Sequence, residues 1–355
     1  MNMRLLTMHA LLLSLFAAMT YATVFAAESA REQAKSPSAA VEGDGIVMRT
    51  AAAQNEDPAK AGTAAAEALK KALGQTRPQL VIMTECYDDK ALKEKALSAV
   101  VSVFGEKTVV GTANYGSFTQ AGTMDRDSVC LLAIGGDGIA VSTAMVEKMG
   151  AAGLSMEADK DKLAEKLRAA GAALAEKLPK PADGRMMIVL ADAHSPKNQF
   201  LIEGIQTVLG KDFPIVGGSA CKNAGMNWLY YGGKMHTDGA LAVMLAGDFN
   251  VALAGRQAQS NDKVIATARE GSAEVAGKLK SKPVALLAFN CAGRLGKLDD
   301  PADELKAIKA SVGGQIPIFG NYFAGEFGPA DTEGKTGALC SGCGWHVMFA
   351  LLGVK

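Results

Sequence analysis

The feature that most constrains this chain is an internal repeat. Three stretches run apolar strand, helix, apolar strand, and end in glycine. The first joins LVIMTEC (80–86) through a helix near 90–104 to TVVGTANYG (108–116). The second joins MMIVLADAH (186–194) through a helix near 198–209 to PIVGGSACK (214–222). The third joins VALLAFNCAGR (284–294) through a helix near 301–312 to PIFGNYFAGE (317–326). An Ala/Lys/Glu-rich helix precedes each stretch, near 61–73, 159–178 and 265–279. Repetition at this period means one supersecondary unit used three times.

Each unit has the same physical logic. The strands are Val/Ile/Leu/Met runs without clean alternation, as expected for strands covered on both faces. The helix near 90–104 carries Leu92, Ala96, Ala99, Val100 and Val103 on one stripe, so it packs on a sheet. A strand–helix–strand passage of this length favours a parallel crossover. Two strand-like runs follow each crossover and read as antiparallel hairpins: SVCLLAI/IAVSTAMV, ALAVMLA/NVALAGR and TGALC/WHVMFALL. The expected fold is α/β, with three related units of mixed sheet over about 60–150, 151–260 and 261–355.

The N-terminus stands apart. A basic start at 1–4 leads into an apolar run at 5–25, with small Val24 and Ala26 before AES. This is the pattern of a cleaved secretory signal peptide over 1–26, which predicts a periplasmic or secreted product. Residues 27–59 hold few large apolar side chains and read as a flexible linker. No later run is long and apolar enough for a membrane span. Charge is balanced at 37 Lys+Arg against 37 Asp+Glu, without a basic block. A nucleic-acid partner is therefore not expected.

In a unit with parallel strands, both post-strand loops emerge at one sheet edge, where ligands of open α/β sheets bind. The first loops offer Cys86, Tyr87 and Asp88; His194 and Ser195; and Cys291, Gly293 and Arg294. The second loops offer Asn114 and Tyr115; Ser219, Cys221 and Lys222; and Asn321, Tyr322 and Glu326. Gly217 and Gly218 lie at the same place, where glycine permits close approach of backbone to an anion or simply turns a corner. Arg294 and Glu326 end neighbouring strands and are expected to meet. The pair is either a brace between two loops, or a pocket in which Arg294 takes a ligand carboxylate and Glu326 an amine or hydroxyl.

Six cysteines in an exported chain permit disulfides, and Cys340-Ser341-Gly342-Cys343 is the candidate for a local one, the alternative being two thiols. Cys340, Cys343 and His346 offer three zinc ligands where a structural site needs four, so no metal is expected. His194 and Cys221 lie on adjacent loops of one unit, so a thiol-dependent hydrolase or transferase using Cys221 or Cys291 is the enzyme alternative. No Gly-x-Ser-x-Gly elbow accompanies them.

The stretch from ALLAFNCAGR to PIFGNYFAGEFGP resembles the C-terminal FIST domain. The matching residues are Cys291, Gly293 and Arg294, then Ile316, Pro317, Phe319 and Gly320, then Gly325 and Glu326. The upstream part, with VVGTANYG, FLIEGIQTVLGKDFPIVGGSACK and TDGALAVMLAG, is similar to the N-terminal FIST domain. That places a FIST N-like domain at 60–260 and a FIST C-like domain at 261–355. The resemblance implies a sensory module for a small ligand such as an amino acid or small carboxylate, acting on a signalling partner that the sequence does not identify. One branch of the family binds haem as a gas sensor. Haem here would need an axial ligand from His194, His236 or a cysteine.

Overall fold

The computed structural model describes residues 45–179, 184–222, 227–332, 334 and 338–354. The expected signal peptide and the first part of the expected linker lie outside them. No helix among the described residues is long and apolar enough to cross a membrane.

The elements repeat three times in one order. The first set is β1 (Val47–Gln54), α1 (Pro58–Leu73), β2 (Pro78–Glu85), α2 (Lys90–Phe104), β3 (Val109–Ala113), the short β4 (Ser117–Thr119) and β5 (Gly122–Met124), and β6 (Ser128–Gly135). The second is β7 (Ile139–Val146), α3 (Lys160–Lys177), β8 (Gly184–Ala191), α4 (Asn198–Leu209), β9 (Ile215–Ser219), β10 (Leu229–Tyr231), β11 (Lys234–His236) and β12 (Ala240–Gly247). The third is β13 (Phe249–Gln257), α5 (Asn261–Lys278), β14 (Lys282–Cys291), the one-turn α6 (Ala292–Leu295), α7 (Pro301–Val312), β15 (Ile318–Phe323), β16 (Glu326–Gly328), β17 (Ser341–Cys343) and β18 (His346–Val354).

Local chemistry explains the helix ends. Asp57 accepts a hydrogen bond from the Ala59 N–H at 3.0 Å, Pro58 opens α1, and Gly74 closes it at φ 58°. Helix α7 repeats the device with Asp300, Pro301 and Gly313. Such caps contribute about 1 kcal/mol each.

The strands form three six-stranded mixed sheets: β1-β6-β2-β3-β10-β11, β7-β12-β8-β9-β16-β17 and β13-β18-β14-β15-β4-β5. β2–β3, β8–β9 and β14–β15 are the parallel pairs. Strict alternation splits each strand between two cores. In β6, Cys130, Leu132 and Ile134 enter a core shared by all three sheets, while Val129, Leu131 and Ala133 face α1 and α2. β8 and β12 divide in the same way between the shared core and α3/α4, and β14 and β18 between the shared core and α5/α7. Three sheets thus enclose one apolar centre, and each carries a helix pair on its outer face. Helices α3 and α4 come closest where Gly171 and Gly204 leave room; a Cβ on either would run into the backbone of Leu201 or Arg168.

Two expectations change. The hairpins SVCLLAI/IAVSTAMV and ALAVMLA/NVALAGR do not pair internally, and in the third, TGALC/WHVMFALL, residues 338–340 form no strand while β18 lies between β13 and β14. β7 leaves β6 and lies against β12, and β13 leaves β12 and lies against β18. The hairpins that do form are the three-residue pairs β4–β5, β10–β11 and β16–β17, and each joins the sheet of another unit. The linker also ends sooner than expected. Residues 47–54 form β1, paired with β6 over eight positions. Its alanines hid it: Ala51 and Ala53 fit under α1 and Ala52 fits the shared core, so this strand is buried without large side chains.

Candidate ligand site at the carboxyl edge

The parallel strands end at one edge in each unit, and the register aligns the three ends. Gly111, Gly217 and Gly320 sit opposite Met83, Val189 and Ala288. Two residues further, Glu85, Ala191 and Asn290 are equivalent, and the next residues are Cys86, Asp192 and Cys291. A Cβ on Gly217 would run into the Val189 carbonyl oxygen, and one on Gly218 into the Phe323 ring. Both glycines therefore serve close packing in the sheet. Ser219 is fully buried, with its hydroxyl donating to the Ala193 carbonyl at 2.8 Å.

Arg294 does not meet Glu326. Its side chain is fully buried and forms an ion pair with Glu304 of α7 at 2.8 Å. Nε donates to Asn290 Oδ1 at 2.8 Å, Nη1 to Thr267 Oγ1 at 3.1 Å, and Nη2 also to the Val264 carbonyl at 3.0 Å. Glu304 Oε2 accepts from Tyr322 Oη at 2.8 Å and Asn290 Nδ2 at 2.9 Å. The turn of α6 sends Arg294 between α5 and α7, away from the rim. The guanidinium fork is occupied by the protein itself, so Arg294 is the brace, with a different acid, and Tyr322 belongs to the brace as well. Asn321 lies in the shared core, where its Oδ1 accepts from Thr84 Oγ1 at 2.5 Å and Asn114 Nδ2 at 2.9 Å.

Unit one carries a counterpart. Lys93 of α2 pairs with Glu85 at 3.0 Å, and both side chains are fully buried. Tyr230, on the hairpin given by unit two, donates to the same carboxylate.

Cys291 and Glu326 lie together at the carboxyl end of unit three. Glu326 is fully buried. Its Oε2 accepts from the His346 backbone N–H at 3.1 Å, and Oε1 has no nitrogen or oxygen partner among the described residues. Burial holds this carboxyl well above the usual range. The Cys291 thiol lies against it, pushed up to about 12 by burial first and by Glu326 second, and eased by the backbone N–H groups of Trp345 and Gly293. Half-buried Trp345 packs over Gly293, and Gly344 touches Ser195.

His194 belongs to the loop after β8, whose Ser195 N–H donates to the Ala324 carbonyl at 3.2 Å. The His194 Nε2 lies 3.1 Å from the Cys221 carbonyl and 3.4 Å from Asp192 Oδ1. Asp192 Oδ2 accepts from Asn227 Nδ2 and from the Asp238 backbone N–H, both at 2.8 Å. The contact of His194 with Cys221 is thus to the main chain, and the Cys221 thiol donates instead to the Asn114 carbonyl at 3.0 Å. Burial raises the Cys221 thiol strongly and takes Cys86 to about 12. These thiols are the reverse of activated nucleophiles. Tyr115 Oη accepts from the Lys222 backbone N–H at 2.7 Å, closing the rim on the side of unit one.

The Cys340–Cys343 disulfide is not formed; both are buried thiols. Three residues apart along extended chain, they point to opposite faces: Cys340 joins the core under α4 and Cys343 the shared core. His236 contacts Glu147 through Nδ1 and the Tyr231 carbonyl through Nε2, which leaves no ring nitrogen ready for an axial bond. Among the described residues no group of three or more His, Cys, Asp and Glu could hold a metal ion.

Sequence reasoning missed Glu304 and Asp192. Glu304 had a signal: it lies on the buried stripe of α7 with Leu305, Ala307 and Ile308. Lys93 shows the same signal on α2, with Ala96, Leu97 and Val100. A charge on an apolar stripe asks for a buried partner.

The fold is of the mixed α/β class with three related sheets, and comparison gives the family. The FIST N domain profile matches residues 79–273 and the FIST C domain profile residues 241–329. The chain belongs to the FIST family of small-ligand sensory domains. No curated protein matches the sequence. Among solved structures, a cyanuric acid hydrolase from A. caulinodans is similar at 13% identity and TM-score 0.42, covering 87% of this chain and 99% of its own. A second cyanuric acid hydrolase is similar at 12% identity and TM-score 0.43, covering 88% and 100%. T. maritima PurL complexed with ATP is similar at 9% identity and TM-score 0.26, covering 90% and 75%.

Proposed function

We propose that this protein is an exported FIST-type sensory module that binds an amino acid or another small carboxylate at the rim formed by Cys291, Glu326 and His194. One observation carries the reading. Glu326 is fully buried with the Cys291 thiol against it, and its Oε1 has no nitrogen or oxygen partner among the described residues. A thiol is a weak donor, and a ligand amine or hydroxyl reaching this carboxyl would add about 0.5–1.5 kcal/mol. Lys222 is exposed on the same rim and supplies the positive charge that Arg294 cannot.

Thermal-shift measurements with a panel of amino acids and small carboxylates test the site. A ligand at a hundred times its Kd stabilises by about 2.7 kcal/mol. The expected result is a clear rise in Tm with at least one compound, lost in Glu326→Ala. No shift across the panel overturns the reading. Export is tested separately by sequencing the N-terminus of the mature protein, where Ala27 is the expected first residue and an intact Met1 refutes cleavage.

A further inference from the structure

We infer that His194, held by Asp192, is the residue that reads the ligand at this rim, through a ring nitrogen fixed as a hydrogen-bond acceptor. The inference rests on the ligand lying at the rim and names what the ligand must carry.

The argument begins with what surrounds Nε2. Its two neighbours, the Cys221 carbonyl and Asp192 Oδ1, can only accept. Nε2 therefore carries the hydrogen. In a neutral imidazole the other nitrogen, Nδ1, is then a bare lone pair. No described residue is hydrogen-bonded to Nδ1. The other described histidines are not like this. His236 touches Glu147 and the Tyr231 carbonyl, and His346 touches the Gly344 carbonyl at 2.8 Å and Asp331 at 3.0 Å. Each of those rings has a carbonyl or carboxylate close to both nitrogens, although His346 Nε2, buried 3.0 Å from Asp331, does not form a well-aligned hydrogen bond. No described residue is that close to His194 Nδ1, and the side chain is still 11% exposed.

The ring is also held in place. Asp192 is buried and fixed from its far oxygen by Asn227 and the Asp238 N–H, so it cannot swing away from His194. A carboxylate behind an imidazole sets tautomer and orientation together. The groups bearing on the ring are Asp192, which favours its charged form, and Lys197 and Lys222, which oppose it. Burial outweighs the carboxylate and keeps the ring neutral below the usual histidine range. The lowering favours the neutral ring, in which the open nitrogen accepts.

Ligand chemistry follows. The ligand must bring an N–H or O–H to Nδ1, and two ammonium groups near the ring favour a negative charge elsewhere on it. A small α-hydroxy or α-amino acid fits both demands. A plain carboxylate of the same size leaves Nδ1 unsatisfied.

The experiment has three arms on the full mature chain. Long-range 1H–15N spectra should show His194 protonated at Nε2 and bare at Nδ1, with a second tautomer appearing in Asp192→Ala. A hydrogen at Nδ1 in the wild type overturns the inference. Diethyl pyrocarbonate labelling, read by peptide mass, should modify His194 faster than His236 and His346 by about tenfold, because the reagent needs an unprotonated, unengaged nitrogen; equal rates overturn it. Finally, lactate and alanine are compared with propionate on wild type and His194→Gln. Glutamine keeps the donor toward Cys221 and Asp192 and puts no nitrogen where Nδ1 stood. Lactate or alanine should bind the wild type about tenfold more tightly than propionate, and the variant should lose that preference. A ligand that shifts both proteins equally overturns this inference alone, whereas a panel with no shift in either overturns the rim reading with it.

Discussion

Units one and three seal the end of their middle strand, and unit two leaves it open. At the equivalent position, Glu85 and Asn290 point toward the helices and take part in fully buried cation–carboxylate clusters, with Lys93 in one and Arg294 and Glu304 in the other. Unit two has Ala191 there, packed in apolar surroundings. One residue on, the two sealed units carry Cys86 and Cys291, and unit two carries Asp192, which turns to His194 at the rim. The difference teaches where charge does what. Placed behind the strand end, a charged group locks helices to sheet; placed one residue further, it is buried beside His194 and orients that ring.

Breaking a seal should have the largest effect. Glu304→Ala strands Arg294 in full burial and should cost about 3–5 kcal/mol of stability, as should Glu85→Ala for Lys93. Asp192→Ala, at the half-open edge, should cost only about 1 kcal/mol. Urea denaturation of the three variants measures this; equal losses would erase the distinction between sealed and open units.

A smaller effect concerns pH. Glu326 has a raised carboxyl in the folded state. Its stabilising share is complete below the unfolded carboxylate value of about 4.3 and is lost as pH rises through the folded value. Glu326→Gln should therefore match the wild type near pH 4 and exceed it in urea midpoint near pH 8. His194 runs the other way. Its lowered folded value makes its share complete above about 6.5 and lost as pH falls through the folded value. His194→Gln should flatten the acid side of the profile. A variant profile parallel to the wild type would remove either residue from this account.

The smallest effect is expected from reductant. Cys340 and Cys343 point into different cores, so dithiothreitol should leave Tm unchanged; a fall in Tm would mean that the two sulfurs do bond.

Much of the fold was legible because its signals are local. The Ala/Lys/Glu-rich helices and the Val/Ile/Leu/Met runs announce their own elements, whereas the cap Asp57-Pro58 lay inside what read as linker. Illegible were the features whose cause lies far along the chain. β4, β10 and β16 are three residues long, and their partners β15, β3 and β9 belong to other units. Arg294 and Glu326 looked like partners because both end neighbouring strands, but the turn of α6 redirects the arginine. At the site, His194, Cys291 and Glu326 could be named from their positions after strands. Asp192 could not, because its value depends on the direction of one side chain.

The exchanged hairpins have a consequence for how such a chain can be altered. Each unit supplies a ribbon to one neighbour and a socket to the other: β4–β5 sits on the third sheet, β10–β11 on the first and β16–β17 on the second. Deleting any one unit would bare a strand edge in one survivor and leave a homeless ribbon on the other. The three repeats are therefore inherited as a set. A separated unit would not be a smaller version of this protein but a fragment seeking its complement, and two mismatched fragments offer each other the same unfilled edges.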